Sequence, residues 1–268
     1  MRHRFVGYDE GKQTLGLYDT ASGAAGWTLD LAELPLARDL QRLGPDRVLV
    51  GFDRGYFEVE IASGRVMGLQ DRWRHVTSVR RIDGRTLLTG LGLEGRLGVT
   101  VATLSASGAL ERVVRREGDY VRLMRPTPTG TFLLCTNDHI LETSPSLEAL
   151  RRLEAPGFLH AWMPHRFEDG TTLVSAGYGA FLARFDAQGK LLQTFGGKGT
   201  VPDEVAPFFY ASFQVLEDGH IVAANWQDHG PGNGKKGRQV VEFTAEGEYV
   251  DSWSDPARIS SLQGLLVL

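Results

Sequence analysis

A chain of 268 residues, 42% hydrophobic and 23% charged, has the make-up of a folded globular protein, which excludes a disordered or collagen-like chain. Its formal charge of −4, from 29 basic and 33 acidic side chains, excludes the basic excess of a general nucleic-acid binder. Apolar runs fall short of the roughly 18 residues that a membrane-crossing helix needs, so no membrane partner is expected.

The chain opens Met1-Arg2-His3-Arg4-Phe5, without the apolar core and small-residue cleavage site of a signal peptide, and a cytoplasmic location is expected. Residues 4–7 read as a strand, then residues 14–18, the turn Thr20-Ala21-Ser22-Gly23 and a strand at residues 27–29. Residues 36–69 bring strands around the turns Gly44-Pro45-Asp46 and Ala62-Ser63-Gly64. Residues 32–43 carry some helical spacing, but their place in the repeat predicts a strand. Residues 76–115 repeat the pattern with turns Asp83-Gly84 and Ser105-Ala106-Ser107-Gly108. Residues 120–153 follow less closely, with Thr129-Gly130 first and Ser144-Pro145-Ser146 in place of the second turn. Residues 159–195 turn at Glu168-Asp169-Gly170 and Asp186-Ala187-Gln188-Gly189. The clearest copy is residues 209–253, with strands at 211–216, 220–224, 239–243 and 249–253 and turns Glu217-Asp218-Gly219 and Thr244-Ala245-Glu246-Gly247. Residues 259–266 read as a first strand with nothing after it.

The two ends together complete one more unit. Six units over 268 residues are about 45 each, the length of a four-stranded propeller blade. The expectation is an all-β, six-bladed β-propeller with four-stranded blades, forming one domain over residues 1–268. The C-terminal strand joins the N-terminal blade and closes the ring. A β-sandwich is the competing fold, but it requires neither six similar units nor a split last one. The 33 glycines fit the many tight turns, and the single cysteine, Cys135, excludes an internal disulfide and a thiolate metal site.

Aligning the units on the inner strand places Gln41, Arg80, Arg125, His165, Gln214 and Gln263 at one level of a central channel. Six buried polar side chains would cost about 1–3 kcal/mol each without partners. They must pair with one another, backbone, water or a ligand; the plain alternative to a ligand is a wet ring tying the blades together. Five residues earlier come His75, Tyr120, His160, Phe209 and Arg258, nearer the mouth. Histidine there suits proton transfer, and guanidinium groups suit an anion. The longest loop, residues 225–237, adds Trp226 as a stacking face and Asp228 with His229 as an acid/base pair. Thr136-Asn137-Asp138-His139 brings a second Asp-His dipeptide, and Gly177-Tyr178-Gly179 puts Tyr178 near the same mouth.

Sharper motifs are absent. Gly232-Asn233-Gly234-Lys235-Lys236-Gly237 lacks P-loop spacing, and there is no His-Glu-x-x-His, Gly-x-Ser-x-Gly or Asp-x-Asp-x-Asp-Gly. No cofactor is expected, although His75, His160 and His229 around a channel leave a divalent metal open.

The Glu217-Asp218-Gly219-His220-Ile221-Val222 stretch, Val241 to Gly247, and Arg166 to Val174 make the blades resemble those of NHL, quinoprotein-like and arylsulfotransferase-like propellers. The resemblance spans nearly the whole chain and specifies the blade. Arylsulfotransferase-like proteins use a channel histidine as nucleophile, and His165 is the nearest match. The functional expectation is a small-molecule site at the channel mouth for a polar, anionic or carbohydrate-like ligand. Arg80 and Arg125 would anchor it, with His160, His165 and His229 for acid/base or nucleophilic work. His75, Tyr120, Tyr178, Gln214, Trp226, Asp228, Arg258 and Gln263 would contact it. If catalytic, the class leans to a lyase, hydrolase or transferase. The alternative is a non-catalytic scaffold that binds a protein partner.

Overall fold

The computed structural model describes residues 1–23 and 25–268. Among these residues the strands form six four-stranded antiparallel sheets. Blade one is β1 (Arg4–Asp9), β2 (Thr14–Asp19) and β3 (Ala25–Asp30), completed by the last strand, β24 (Leu262–Val267). Blade two is β4 (Asp39–Leu43), β5 (Arg47–Phe52), β6 (Gly55–Glu60) and β7 (Val66–Gln70). Blade three is β8 (Val76–Ile82), β9 (Arg85–Leu91), β10 (Val99–Leu104) and β11 (Leu110–Arg116). Blade four is β12 (Met124–Pro126), β13 (Phe132–Cys135), β14 (Ile140–Thr143) and β15 (Ala149–Leu153). Blade five is β16 (Pro164–Arg166), β17 (Thr172–Ser175), β18 (Leu182–Phe185) and β19 (Leu191–Phe195). Blade six is β20 (Phe209–Val215), β21 (Ile221–Trp226), β22 (Val240–Phe243) and β23 (Tyr249–Trp253). The protein is a six-bladed β-propeller. Residues 32–38 are turn and loop, and the strand expected there begins only at Asp39.

A shared turn chemistry makes the blades alike. At the outer turn of blades four, five and six, one side-chain oxygen accepts the backbone N–H groups two and four residues on. Ser144 does so for Ser146 and Glu148, Asp186 for Gln188 and Lys190, and Thr244 for Glu246 and Glu248. The fourth turn residue then takes positive φ: Gly189 and Gly247 in two blades, and Leu147 at +66° in blade four. Leu147 is buried, so its apolar contacts offset a backbone that glycine would adopt more easily. This is why the fourth unit is the least regular in sequence.

The core lies between neighbouring blades rather than within one. Leu133, Cys135 and Ile140 of blade four pack on Val174, Ala183 and Phe185 of blade five. The ring closes where β1 pairs with β24, Phe5 opposite Val267 and Tyr8 opposite Gly264. Asp9 is fully buried and its carboxylate accepts the Ser260 and Ser261 N–H groups, each at 2.7 Å, which pins the start of the closing strand. On the other side of the seam Glu242 accepts from His3 and His220 at 3.0 and 2.8 Å, and the Met1 amine meets Asp251.

Candidate functional site

We call upper the face on which the inner strands begin. Tyr120 and Arg122 lie just before β12, His160 and Trp162 just before β16, Arg38 just before β4 and Phe208 just before β20. These lead-in residues, with the loop after β21, meet at the centre of that face.

The Tyr120 hydroxyl and His160 Nδ1 are 2.7 Å apart, with the rings edge to face. His160 sits at φ +57°, an uncommon conformation for a residue with a Cβ. The turn opposite permits it: at Gly177 a Cβ would stand 2.1 Å from the His160 carbonyl oxygen. The His160 N–H donates to Asn137 Oδ1 at 3.3 Å. Burial and the Arg122 charge hold the imidazole below its ordinary pKa. Burial pushes the Tyr120 phenol up to about 12, so near pH 7 the pair is a neutral imidazole and a phenol.

An aromatic series continues from His160. Tyr178 stands edge-on to it at 5.3 Å and to Phe209 at 4.8 Å. Trp226 lies 5.2 Å from Phe209 and 4.6 Å from the His229 ring. His229 bonds through Nδ1 to Glu10 Oε1 at 2.9 Å. Trp226 is 2% exposed, so it is a floor beneath the site rather than the open stacking face expected; Tyr178, at 36%, is the exposed ring. Asp228 does not pair with the His229 ring: its carboxylate accepts the His229 backbone N–H at 2.8 Å.

Two arginines complete the centre. The Arg38 guanidinium lies 5.2 Å from the Trp162 ring centre, and that of Arg122 lies 6.0 Å from the same ring and 4.2 Å from Tyr120. Burial and the charge of Arg122 pull Arg38 down to about 10, which still leaves it protonated at neutral pH. Among the described residues no carboxylate lies within 4.0 Å of either. Arg122 Nε and Trp162 Nε1 are buried without a hydrogen-bond partner there.

The arginines expected as anchors sit lower and are engaged. Arg80 and Arg125 both donate to Asp39 Oδ1, at 2.6 and 2.9 Å, and Ser78 Oγ and the Val79 N–H reach Asp39 Oδ2. Burial pushes the Asp39 carboxyl up, but the two guanidiniums and these hydrogen bonds outweigh it and hold it low. This knot ties blades two, three and four at the axis. Gln41 brackets the Arg81 backbone, and Gln214 accepts the Val267 N–H, each clamping the next blade. Gln263 is buried with Oε1 unpartnered.

The remaining expected residues lie apart from the Tyr120–His160 pair. His165 is lower on its blade than His160, edge-on to Phe167, in a cavity of about 830 Å³ that Arg125, its neighbour in the aligned ring, also lines with Arg85, Thr127 and Phe132. His75 is exposed, 4.0 Å from Asp53, and Arg258 pairs with Asp255. The second Asp-His dipeptide, Asp138 with His139, lines a separate cavity of about 480 Å³ that Tyr120 and Asn137 also border. Among the described residues, no His, Cys, Asp and Glu cluster is placed to hold a metal ion.

Sequence reasoning missed Arg38 and Arg122. The same alignment held the signal: three residues before the polar ring it gives Arg38, Thr77, Arg122, Trp162, Ala211 and Ser260, one level carrying two arginines and a tryptophan.

No family model matches the chain, and no curated protein matches it. Solved structures share the fold. A Bacteroides caccae protein of unknown function matches with a TM-score of 0.81 at 16% identity, covering 100% of this chain and 99% of that one. A periplasmic gluconolactonase of Pseudomonas aeruginosa matches at 0.63 and 14% identity, over 95% of this chain and 83% of that one. A streptogramin B lyase structure matches at 0.59 and 11% identity, over 94% and 88%.

Proposed function

We propose that the protein binds a small polar molecule at the mouth of a central channel on its upper face, over Tyr120 and His160. The observation that carries this is the Tyr120–His160 hydrogen bond at 2.7 Å. It holds an imidazole in a disfavoured backbone conformation with its second nitrogen free of protein partners among the described residues. Backbone strain held by surrounding structure clusters at functional positions. A neutral imidazole bonded to a phenol keeps one movable proton and one free lone pair, so the pair can exchange a proton with a bound molecule. Tyr178 supplies an exposed ring face beside it. Two propellers of similar fold are named as enzymes on small molecules, a gluconolactonase and a lyase, which is in keeping with this use of the fold.

The test is a ligand-observed NMR screen of sugars, sugar acids and their lactones against the full chain, His160→Ala and Tyr178→Ala. Compounds that bind the parent chain and neither variant support the reading. Binding that both variants keep places the ligand elsewhere and contradicts it.

A further inference from the structure

Resting on that reading, we infer that Arg38 and Arg122 form a receptor for a carboxylate carried by the ligand. Their surroundings separate them from arginines with a structural role. Arg80, Arg125, Arg151 and Arg166 each have a carboxylate at 2.6 to 2.9 Å. Arg38 and Arg122 instead have each other's like charge and one indole shared between them; the Asp53 carboxylate acts on Arg38 only from beyond ion-pair distance. An aromatic face compensates a desolvated cation only in part, and two adjacent cations with no anion in contact leave a standing electrostatic deficit.

The hydrogen-bond inventory gives the same sign. Arg122 Nε and Trp162 Nε1 are buried donors without an acceptor among the described residues; Arg166 Nε shares that state, but Arg166 bonds Glu142 through a terminal nitrogen and Arg122 has no such carboxylate. Arg122 Nη1 reaches only the Val121 carbonyl at 3.3 Å, and Arg38 has no side-chain acceptor there. The group that completes this centre must bring acceptors and negative charge and no donors. A carboxylate does both, and its two coplanar oxygens match the guanidinium fork. The backbone N–H cradle that commonly holds a phosphate is missing, since the lead-in amides are already bonded: Arg38 N to Leu36 O, Arg122 N to Cys135 O and Trp162 N to Ser175 O. The two arginines come from blades two and four and reach Trp162 on blade five, so the anion would sit near the axis, beside the Tyr120–His160 pair.

The test is calorimetric titration of the full chain at constant ionic strength with glucuronate, methyl glucoside and inorganic phosphate. The variants are Arg38→Met, Arg122→Met and Tyr178→Ala, with Arg85→Gln, paired to Glu111 away from this face, as control. Glucuronate should bind the parent and the control alike and at least tenfold more weakly to each Met variant, while methyl glucoside binding ignores the arginines. Both Met variants should unfold at or above the parent temperature in chloride, since each removes an unpaired cation; a marked fall would assign them a structural role and overturn the inference. If both Met variants bind glucuronate as the parent does while Tyr178→Ala weakens it, the carboxylate receptor is refuted and the upper-face site stands. Phosphate binding tighter than glucuronate and lost in the Met variants also overturns the carboxylate assignment. If no probe binds the parent while the NMR screen finds ligands dependent on Tyr178, the receptor alone falls; if that screen fails too, both readings fall.

Discussion

Arg125 Nη2 lies 2.9 Å from Asp39 Oδ1, an ion pair between blades four and two that reaches past blade three, whose Arg80 shares the same oxygen. The side chain of Asp39 is 1% exposed and faces two guanidiniums, so its loss strands two buried cations. Asp39→Ala should cost about 3–5 kcal/mol, the usual penalty for breaking a buried ion pair from one side. Removing all three charges as Asp39→Leu, Arg80→Met and Arg125→Met should recover most of that. Denaturant unfolding of the single and triple variants measures both; a single variant as stable as the parent would contradict the assignment.

Gly177 is the counterpart of the strained His160. Alanine there would place its Cβ 2.1 Å from the His160 carbonyl oxygen, at a φ of +65°. Gly177→Ala should destabilise the fold by at least about 1 kcal/mol and displace the His160 imidazole from Tyr120. The His160 ring signals should move in NMR spectra as stability falls. Unchanged ring signals would mean that the turn does not position the histidine.

The histidines should titrate in opposite directions. Burial and then Arg122 lower His160. A lowered histidine contributes fully above its unfolded pKa of about 6.5, and the contribution is lost as pH falls through the folded value. His220 is raised, chiefly by its bond to Glu242. Its contribution to the ring seam is present below about 6.5 and lost as pH rises through the folded value. Side-chain NMR titration should place the His160 midpoint below that of His220; the reverse order would contradict both environments.

Asp9 closes the ring through backbone groups. Asp9→Ala leaves the buried Ser260 and Ser261 N–H groups without acceptors, at about 1–3 kcal/mol each. Hydrogen exchange of the β24 amides should accelerate more than that of β21. Equal acceleration would show that the closing strand does not open on its own.

The fold was legible because each blade repeats its own punctuation: Asp-Gly or Ser/Thr/Asp-x-x-Gly turns between strands, with the unit of the two termini split between them. Leu147 hides one such turn because a buried leucine took the glycine position. The polar ring at Gln41, Arg80, Arg125 and Gln214 was found by alignment, but its partners were not. Asp39 supplies the counter-charge from the level above, and a repeat alignment compares blades without saying which side chain crosses between them. The alignment set Tyr120 and His160 near one mouth with Tyr178, and the three do meet there; it set His165 one level down with Arg125, and those two border one cavity, apart from the Tyr120–His160 pair. Trp226 illustrates a further limit: sequence gives a ring in a loop, and only packing shows that Tyr178, Phe208 and Phe209 cover it.

The upper-face site has a built-in reporter. The Trp162 indole N–H sits at the centre without a partner among the described residues, whereas Trp27 Nε1 is tied to the Ile61 carbonyl at 2.7 Å away from it. The five indole N–H signals followed by NMR during a glucuronate titration test the account most directly. The Trp162 signal should move saturably, with a smaller shift at Trp226 and none at Trp27, Trp73 or Trp253. Saturable binding that leaves Trp162 in place, or that moves all five together, would contradict a ligand site at the centre of the upper face.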